Sequence, residues 1–477
     1  MTLRAAARLL LALGLAGTLP SPASAIAPSA DTTSANPTSA SPVSAIPPFA
    51  RRYRTTCASC HTAAPKLNAV GEAFRLHGYR LKRFDEAIAQ EPGLPLGDDG
   101  WRGLWPRGIW PGEIPSGPPV ALRIQADVVS LPAGRKPSGV QLRLPHEVYF
   151  LAAASLGDGL AAFIELTGEP GESFGISQAK LIVTDPIRAL PHGALNLWIG
   201  RQNPYLFTFA DRQIDRAGVL VFAWQSYRVA DLRLTDPVRP DTLKSPNAFS
   251  LGQTLPAVEL NGVLRGRTFY SIGVAQGAGP GQDDNNQSKD FYYKVRHKWG
   301  GLRLDGEYDV GAGPPPGGNG QLRDHAIIVE HFGYFGEEPG TGSIPDRHRS
   351  FGANVRVVRG PLDVGTGAVT RRDKDPWGTG AAAEMRSRFA KGEYLFWPWL
   401  AGSLKLEQFN ATSPVAQRAG YTRGADERVL VAPGIVALLR QNARLVIEGE
   451  FYARERSSAE AARRRSVGLW TRLDVTF

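Results

Sequence analysis

Both cysteines of this 477-residue chain fall in one pentapeptide, Cys57-Ala58-Ser59-Cys60-His61. C-x-x-C-H is the spacing at which a c-type haem is attached. Two thiols form thioethers to the two vinyl groups, and the intervening pair lets both sulfurs reach one porphyrin edge. The adjacent histidine then falls under the iron as proximal ligand. Two cysteines exclude a disulfide scaffold and a four-thiolate zinc site. A thioredoxin-like dithiol would want a βαβ context, and a disulfide would leave His61 idle. The expected cofactor is therefore one covalent haem c, held by Cys57, Cys60 and His61, with His61 on the iron. The second axial ligand is less determined. Met385 is the only internal methionine, and His77 is the only other histidine before residue 146. His77 is the candidate distal ligand; its competing role is a helix-end histidine that stabilises the negative end of the helix dipole. A water, an open site or a more distant histidine also stays open. Without methionine ligation the potential should lie below that of a His/Met cytochrome.

The elements that position the motif can be read on either side of it. Leu67, Val70, Ala73 and Phe74 share one helical face, continued by His77, so a helix is expected over Lys66 to Tyr79. Pro65 suits its first turn and Gly78 its C-cap. The cytochrome-like segment spans 47–92, which is small enough that haem and a larger host must complete its core. Upstream, Arg4 and Arg8 precede the apolar run Leu9 to Gly17, and Ala23-Ser24-Ala25 offers a cleavage site. Residues 1–25 read as a secretory signal peptide, which supplies the compartment in which haem is attached. Its removal takes two arginines and lowers the net charge from +10 to +8. A second cleavage site could follow Val43-Ser44-Ala45. Residues 26–46 are a Ser/Pro/Ala tether with no hydrophobic period. Residues 93–118 form a Pro/Gly/Trp connector, with Trp101, Trp105 and Trp110 suited to a membrane interface.

From 119 to 477 the period is two. Leu122 to Val128 alternates cleanly, as does Leu302 to Val310, while Arg444 to Arg454 alternates with Val446 and Tyr452 as exceptions. The apolar face admits glycine and alanine and the other face is densely charged, which suits lipid outside and a polar lumen inside. Mean hydropathy is only −0.21 and 53 residues are glycine, so many transmembrane helices are excluded while a barrel is not. These 359 residues allow about 22 per strand and connection for sixteen strands. Direct counting gives about 16 to 18 strands. Compact turns such as Arg359-Gly360-Pro361 and Gln441-Asn442 alternate with long or polar connections at 378–383, 412–426 and 456–463. That alternation slips once, near 312–323, where a strand looks split or missed. The chain ends on Phe477 in an alternating strand, similar to the assembly signal of outer-membrane barrels. The fold class is mostly β: a transmembrane outer-membrane β-barrel of about 16 antiparallel strands with a small N-terminal α-helical c-type cytochrome segment.

Pro47-Pro48-Phe49-Ala50-Arg51-Arg52-Tyr53, the C-x-x-C-H motif, Pro65 to Arg75 and Gly78-Tyr79 resemble the fused monohaem cytochrome–porin family of the outer membrane. The close match covers about 35 residues; beyond them only the architecture agrees. The best-known members of that family are Fe(II) oxidases that pass electrons inward. The resemblance implies an electron-transfer protein between an extracellular donor, best taken as Fe(II), and a periplasmic c-type cytochrome. Outer-membrane lipid and lipopolysaccharide are the expected surroundings, with the haem segment in the barrel mouth or periplasm and no nucleic-acid partner. The alternative is a transport porin whose haem domain gates or senses. A haem peroxidase would need distal acid–base groups, and no such constellation is visible. Asp283, Asp284, Glu337, Glu338, Asp373 and Asp375 could attract a hard cation weakly, but read better as ordinary loop charges.

Overall fold

A computed structural model describes residues 49, 57–80, 93–95, 113–115, 120–131, 139–155, 159–207, 214, 222–236, 238, 242–277, 286–307, 324–421, 425–440, 442–457 and 460–476. The expected signal peptide and tether, the three connector tryptophans, Asp283, Asp284 and Phe477 lie outside the described residues.

Sixteen strands close one antiparallel barrel. They are β1 (Val120–Leu131), β2 (Gly139–Ser155), β3 (Leu160–Gly168), β4 (Gly175–Thr184), β5 (Asn196–Gln202), β6 (Leu255–Leu264), β7 (Thr268–Ala275) and β8 (Asp290–Gly300). Then follow β9 (His325–Glu338), β10 (Asp346–Arg359), β11 (Leu362–Asp373), β12 (Ala383–Trp397), β13 (Leu400–Thr412), β14 (Ala425–Arg440), β15 (Ala443–Ser457) and β16 (Glu460–Thr476). Each pairs with its sequence neighbours, and β16 returns to β1 with Leu469 opposite Ser130 and Thr476 opposite Arg123.

The period of two sets which side each residue faces. β6 buries Leu255, Ala257, Glu259 and Asn261 inside and turns Val258 and Leu260 out. β15 buries Arg444, Val446 and Glu448 and exposes Ile447 and Phe451, so Val446 is inward as its position on the polar face requires. A cation on the outer face would cost about 2–4 kcal/mol at the bilayer midplane, which is why that face is aliphatic. The two ends differ. Tight connections at 265–267, 360–361 and 398–399 lie at one end, together with the start of β1 and the end of β16. Exposed Tyr394, Phe396, Trp397 and Trp399 ring part of that short-turn end, with Trp397 and Trp399 stacked at 5.9 Å. The other end carries the longer loops and an outward set of exposed cations, among them Arg347, Arg349, Arg372, Lys374, Arg386 and Arg388.

Two expectations need correction. Leu302 to Val310 is not a barrel strand: 301–307 is a chain of turns, and 308–310 lies outside the described residues. Its leucines are buried, Leu304 packing with Leu76, Val263 and Phe269 rather than facing lipid. Alternation there comes from turns held by Arg303 N–H to Glu307 O and Leu304 N–H to Gly266 O. The slipped phase near 312–323 falls between β8 and β9 and lies outside the described residues; the barrel closes with sixteen strands. The 456–463 stretch is also no long loop, because β15 runs to Ser457 and β16 starts at Glu460.

The closing seam is ionic. Arg472 donates to Asp127 at 2.6 and 2.7 Å, and Arg123 donates to Asp474 at 2.8 and 2.6 Å. Arg444 adds a bond to the same Asp474 at 2.8 Å. Asp474→Ala strands two buried guanidinium groups and should lower barrel stability by on the order of 3 kcal/mol. Urea unfolding in detergent micelles checks this; an unmoved midpoint would mean that the seam does not rest on these pairs.

Candidate functional site

The motif residues fold locally before they meet the barrel. Cys57–Ser59 form one 3-10 turn, closed by Cys60 N–H to Cys57 O at 3.2 Å. His61–Ala63 then pairs antiparallel with Lys66–Leu67, His61 opposite Leu67. A helix, α1, covers Ala69–Leu76, shorter at both ends than Lys66 to Tyr79. Asn68 starts it: its extended backbone and side chain, which accepts from Gly71 N–H at 3.0 Å, form an N-cap. At the other end Gly78 and Tyr79 take positive φ, and their N–H groups return to Arg75 O and Phe74 O. Asn68 also ties helix to motif, donating its backbone N–H to Cys60 O at 2.9 Å and its amide to Ser59 O at 3.1 Å. Gly71 permits that closeness, because a Cβ there would stand 2.1 Å from Cys60 O.

This segment lies inside the barrel, towards the short-turn end. Phe74 and Tyr79 pack with Phe163, Ile182 and Trp198 of β3, β4 and β5, and Phe49 stacks on Tyr79 at 5.3 Å. Arg75 covers the ring of Tyr205. Glu72 is buried between Arg296 of β8 at 3.2 Å and Arg356 of β10 at 3.7 Å. Burial pushes its carboxyl up, but Arg296, Arg356, Lys298 and Arg75 together hold it below the usual range. Lys66 pairs with Asp363 of β11 and Glu393 of β12. These pairings join residues more than 200 positions apart, so nothing in local sequence announced them. A hint did exist: Glu72 interrupts an otherwise apolar helix face.

His61, Lys66, Leu67, Glu72, Lys298 and Arg356 line an open-mouthed cleft at this end. Cys57 and Cys60 are half-buried and not bridged. Burial raises both thiols, Cys60 to about 11, where the neighbouring Cys57 adds to the effect. They are therefore protonated near neutral pH, the reverse of the depressed pKa that a dithiol oxidoreductase uses. Two unbridged thiols one turn apart, with the next histidine on a cleft that has both aliphatic and cationic walls, fit a haem c. Cys57 and Cys60 would hold it by thioethers and His61 by its imidazole.

His77 is placed elsewhere. It caps α1, 5% exposed, with Nδ1 bonded to Ala73 O at 2.7 Å and Nε2 facing Gly193 on the β4–β5 connection. It does not line the cleft that His61 lines, so the two histidines are not brought together and distal ligation gains no support from this placement.

The suspected loop acids divide. Glu337 accepts from Ser288 and Arg347, and Asp375 accepts from the backbone of Thr379 and Gly380, as surface residues do. Glu338 and Asp373 are strand-end residues buried in the lumen, not loop charges.

The second body in the lumen is the β5–β6 connection, whose described parts are 203–207, 214, 222–236, 238 and 242–254. It folds in from the long-loop end. Phe207, Phe222 and Trp224 pack with Phe332 and Phe389 of the barrel wall, and Ala223 N–H donates to Glu407 at 2.8 Å.

In the chain with both thiols free of any adduct, iodoacetamide capture of Cys60 should be slow at pH 8 and accelerate as pH approaches 11. Fast capture at pH 7 would contradict the buried, protonated thiol. Glu72→Ala leaves two buried guanidinium groups facing an apolar helix and should weaken docking of α1 by about 3 kcal/mol. Limited proteolysis within 57–80 would then rise roughly 100-fold, with the barrel itself intact.

No protein-family model matches the chain, and no curated protein is similar to it at a significant level. Among solved structures it is similar to an anion-selective porin from Comamonas acidovorans, with a TM-score of 0.51 at 11% identity over 75% of this chain and 98% of the porin. The outer membrane channel DcaP of Acinetobacter baumannii (TM-score 0.48, 10% identity, 75% and 96% coverage) and OprB of Pseudomonas putida (0.47, 8%, 75% and 94%) follow. At such identities the likeness concerns fold alone: the chain has the closed 16-strand barrel fold of outer-membrane porins.

Proposed function

We propose that this protein is an outer-membrane barrel that conducts electrons rather than bulk solute, with one covalent haem c carried by its C-x-x-C-H segment. The observation that carries this reading is the filled lumen. α1 and the motif occupy the short-turn end, and the aromatic β5–β6 connection fills the other and reaches the short-turn wall through Ile214. Orientation is supported by physics: outer-membrane barrels keep short turns in the periplasm and long loops outside. Exposed Arg347, Arg349, Arg372 and Arg386 at the long-loop end suit the anionic lipopolysaccharide of the outer leaflet. His61 then faces the periplasm, where a soluble c-type cytochrome could take the electron, and the donor, best taken as Fe(II), acts from outside.

When bound, haem would supply reversible one-electron storage. The chain's own residues do the rest. Cys57 and Cys60 anchor, Asn68 and Gly71 fix the motif against α1, and the Glu72 and Lys66 ion pairs hold α1 against the wall. Phe74, Tyr79, Phe163 and Trp198 exclude water from one side of the segment.

The second reading is a transport porin in which the segment gates or senses. The fold comparison favours it, since the similar structures are channels. So does the way the plug is held, because a few ion pairs could release it.

Sealed vesicles with an internal redox dye separate the two. External Fe(II) should reduce the haem and then the dye, while ion conductance stays near that of empty vesicles. Conductance typical of an open pore, with haem left oxidised and no dye reduction, would replace the first reading by the second.

A further inference from the structure

We propose that Asp290, Glu338 and His348 form a binding site for one divalent first-row transition-metal ion, at the long-loop end of the lumen. The three lie on the inner faces of β8, β9 and β10, each within three residues of that end of its strand. One oxygen or nitrogen from each lies within 4.8 Å of the others. Donors bound about 2.0–2.2 Å from one ion are at most roughly 4.4 Å apart, so slight side-chain rotation closes the set.

His348 gives the independent reason to expect a ligand. It is 3% exposed, and neither ring nitrogen has a hydrogen-bonding partner. Phe249 stacks on its ring at 4.4 Å and Tyr334 lies parallel at 5.9 Å, so the imidazole is held in place by apolar contacts while its polar atoms are left for something else. A buried imidazole with neither nitrogen bonded costs about 1–3 kcal/mol per unmet group. A metal bond to one nitrogen removes that cost at that nitrogen.

The backbone makes room for the set. Gly336 of β9 pairs with His348 across the β9–β10 ladder. A Cβ at Gly336 would stand 2.5 Å from Asp290 Oδ1 and 2.6 Å from His348 Nε2. Only the missing side chain lets the two donors approach each other over β9.

The electrostatics and outer contacts agree. Asp290 is oriented by Tyr334 OH at 2.7 Å and Glu337 N–H at 3.2 Å. Asp346, buried and paired in register with Glu338, adds a third carboxylate to the neighbourhood. The nearby cation Arg371 donates to Asp373 and to Phe249 O. Buried like charges this close are stabilised by a dication. One imidazole with carboxylates selects Mn, Fe, Co or Zn over Ca or Mg, and three protein donors leave positions for water.

The site depends on the barrel alone and not on the haem reading. Mn(II) without any electron donor is therefore the probe, added to the purified full chain in detergent and followed by electron paramagnetic resonance. About one Mn(II) per barrel should lose its free six-line signal and show coupling to an imidazole nitrogen. His348→Gln should weaken binding at least tenfold, and Gly336→Ala, which removes no donor, should weaken it as well. Absence of bound Mn(II), or bound Mn(II) without nitrogen coupling, would overturn the proposal, as would a folded His348→Gln barrel with unchanged affinity. Nitrogen coupling in the unaltered protein decides the matter even where a variant fails to fold.

Discussion

Hydrocarbon offers no partner to a backbone N–H or C=O, so a β structure that crosses a membrane must close on itself. The rest of this structure depends on that closure. A sheet of sixteen strands is forced to enclose a volume, and alternation then sends half of its side chains into it. The outer face follows from lipid and is simple. The inner face is the informative one, because its charges must be paired, hydrated or covered. The seam between β16 and β1 shows the first solution, with Asp127, Asp474 and three arginines locked in alternating order.

Covering is the second solution, and two parts of the chain share it. The motif segment brings aromatic residues to β3–β5 and ionic ones to β8 and β10–β12, matching the wall's own change in character around the circumference. The β5–β6 connection brings a mostly aromatic surface to β9, β12 and β13. Each plug therefore carries the complement of the wall it meets. That is a stricter requirement than a water-filled pore would impose.

Much of this was legible in sequence, for physical reasons that differ between the parts. The barrel showed itself because a period of two repeats along every strand, and small errors in one strand leave the rest unharmed. Leu302 to Val310 misled for the same reason: its described part, 302–307, is a run of turns whose residues alternate as a strand's do, and the packing of Leu304 on Leu76 distinguishes it. Cys57, Cys60 and His61 stood out because their spacing matches that of haem attachment, and the structure sets the two cysteines on one 3-10 turn beside α1. His77 shows the limit of that method. Being the nearest histidine in sequence did not make it a neighbour of the cleft, since the C-cap of α1 turns it towards Gly193. His348, Asp290 and Glu338 were not legible together, because sequence separates them while strand register assembles them. The local mark was a glycine at 336, just before the acids Glu337 and Glu338 at the end of the strand.

The attachment of Lys66 reaches beyond architecture. Its two acids stand 297 and 327 positions away, on neighbouring strands, where Asp363 also pairs with Arg356 and Glu393 with Lys391. A segment that docks this way cannot drift independently of the barrel that receives it. A motif segment transplanted from one such barrel to another would arrive with the wrong charges. The segment and the wall are matched charge for charge, and one chain carries both halves of each pair.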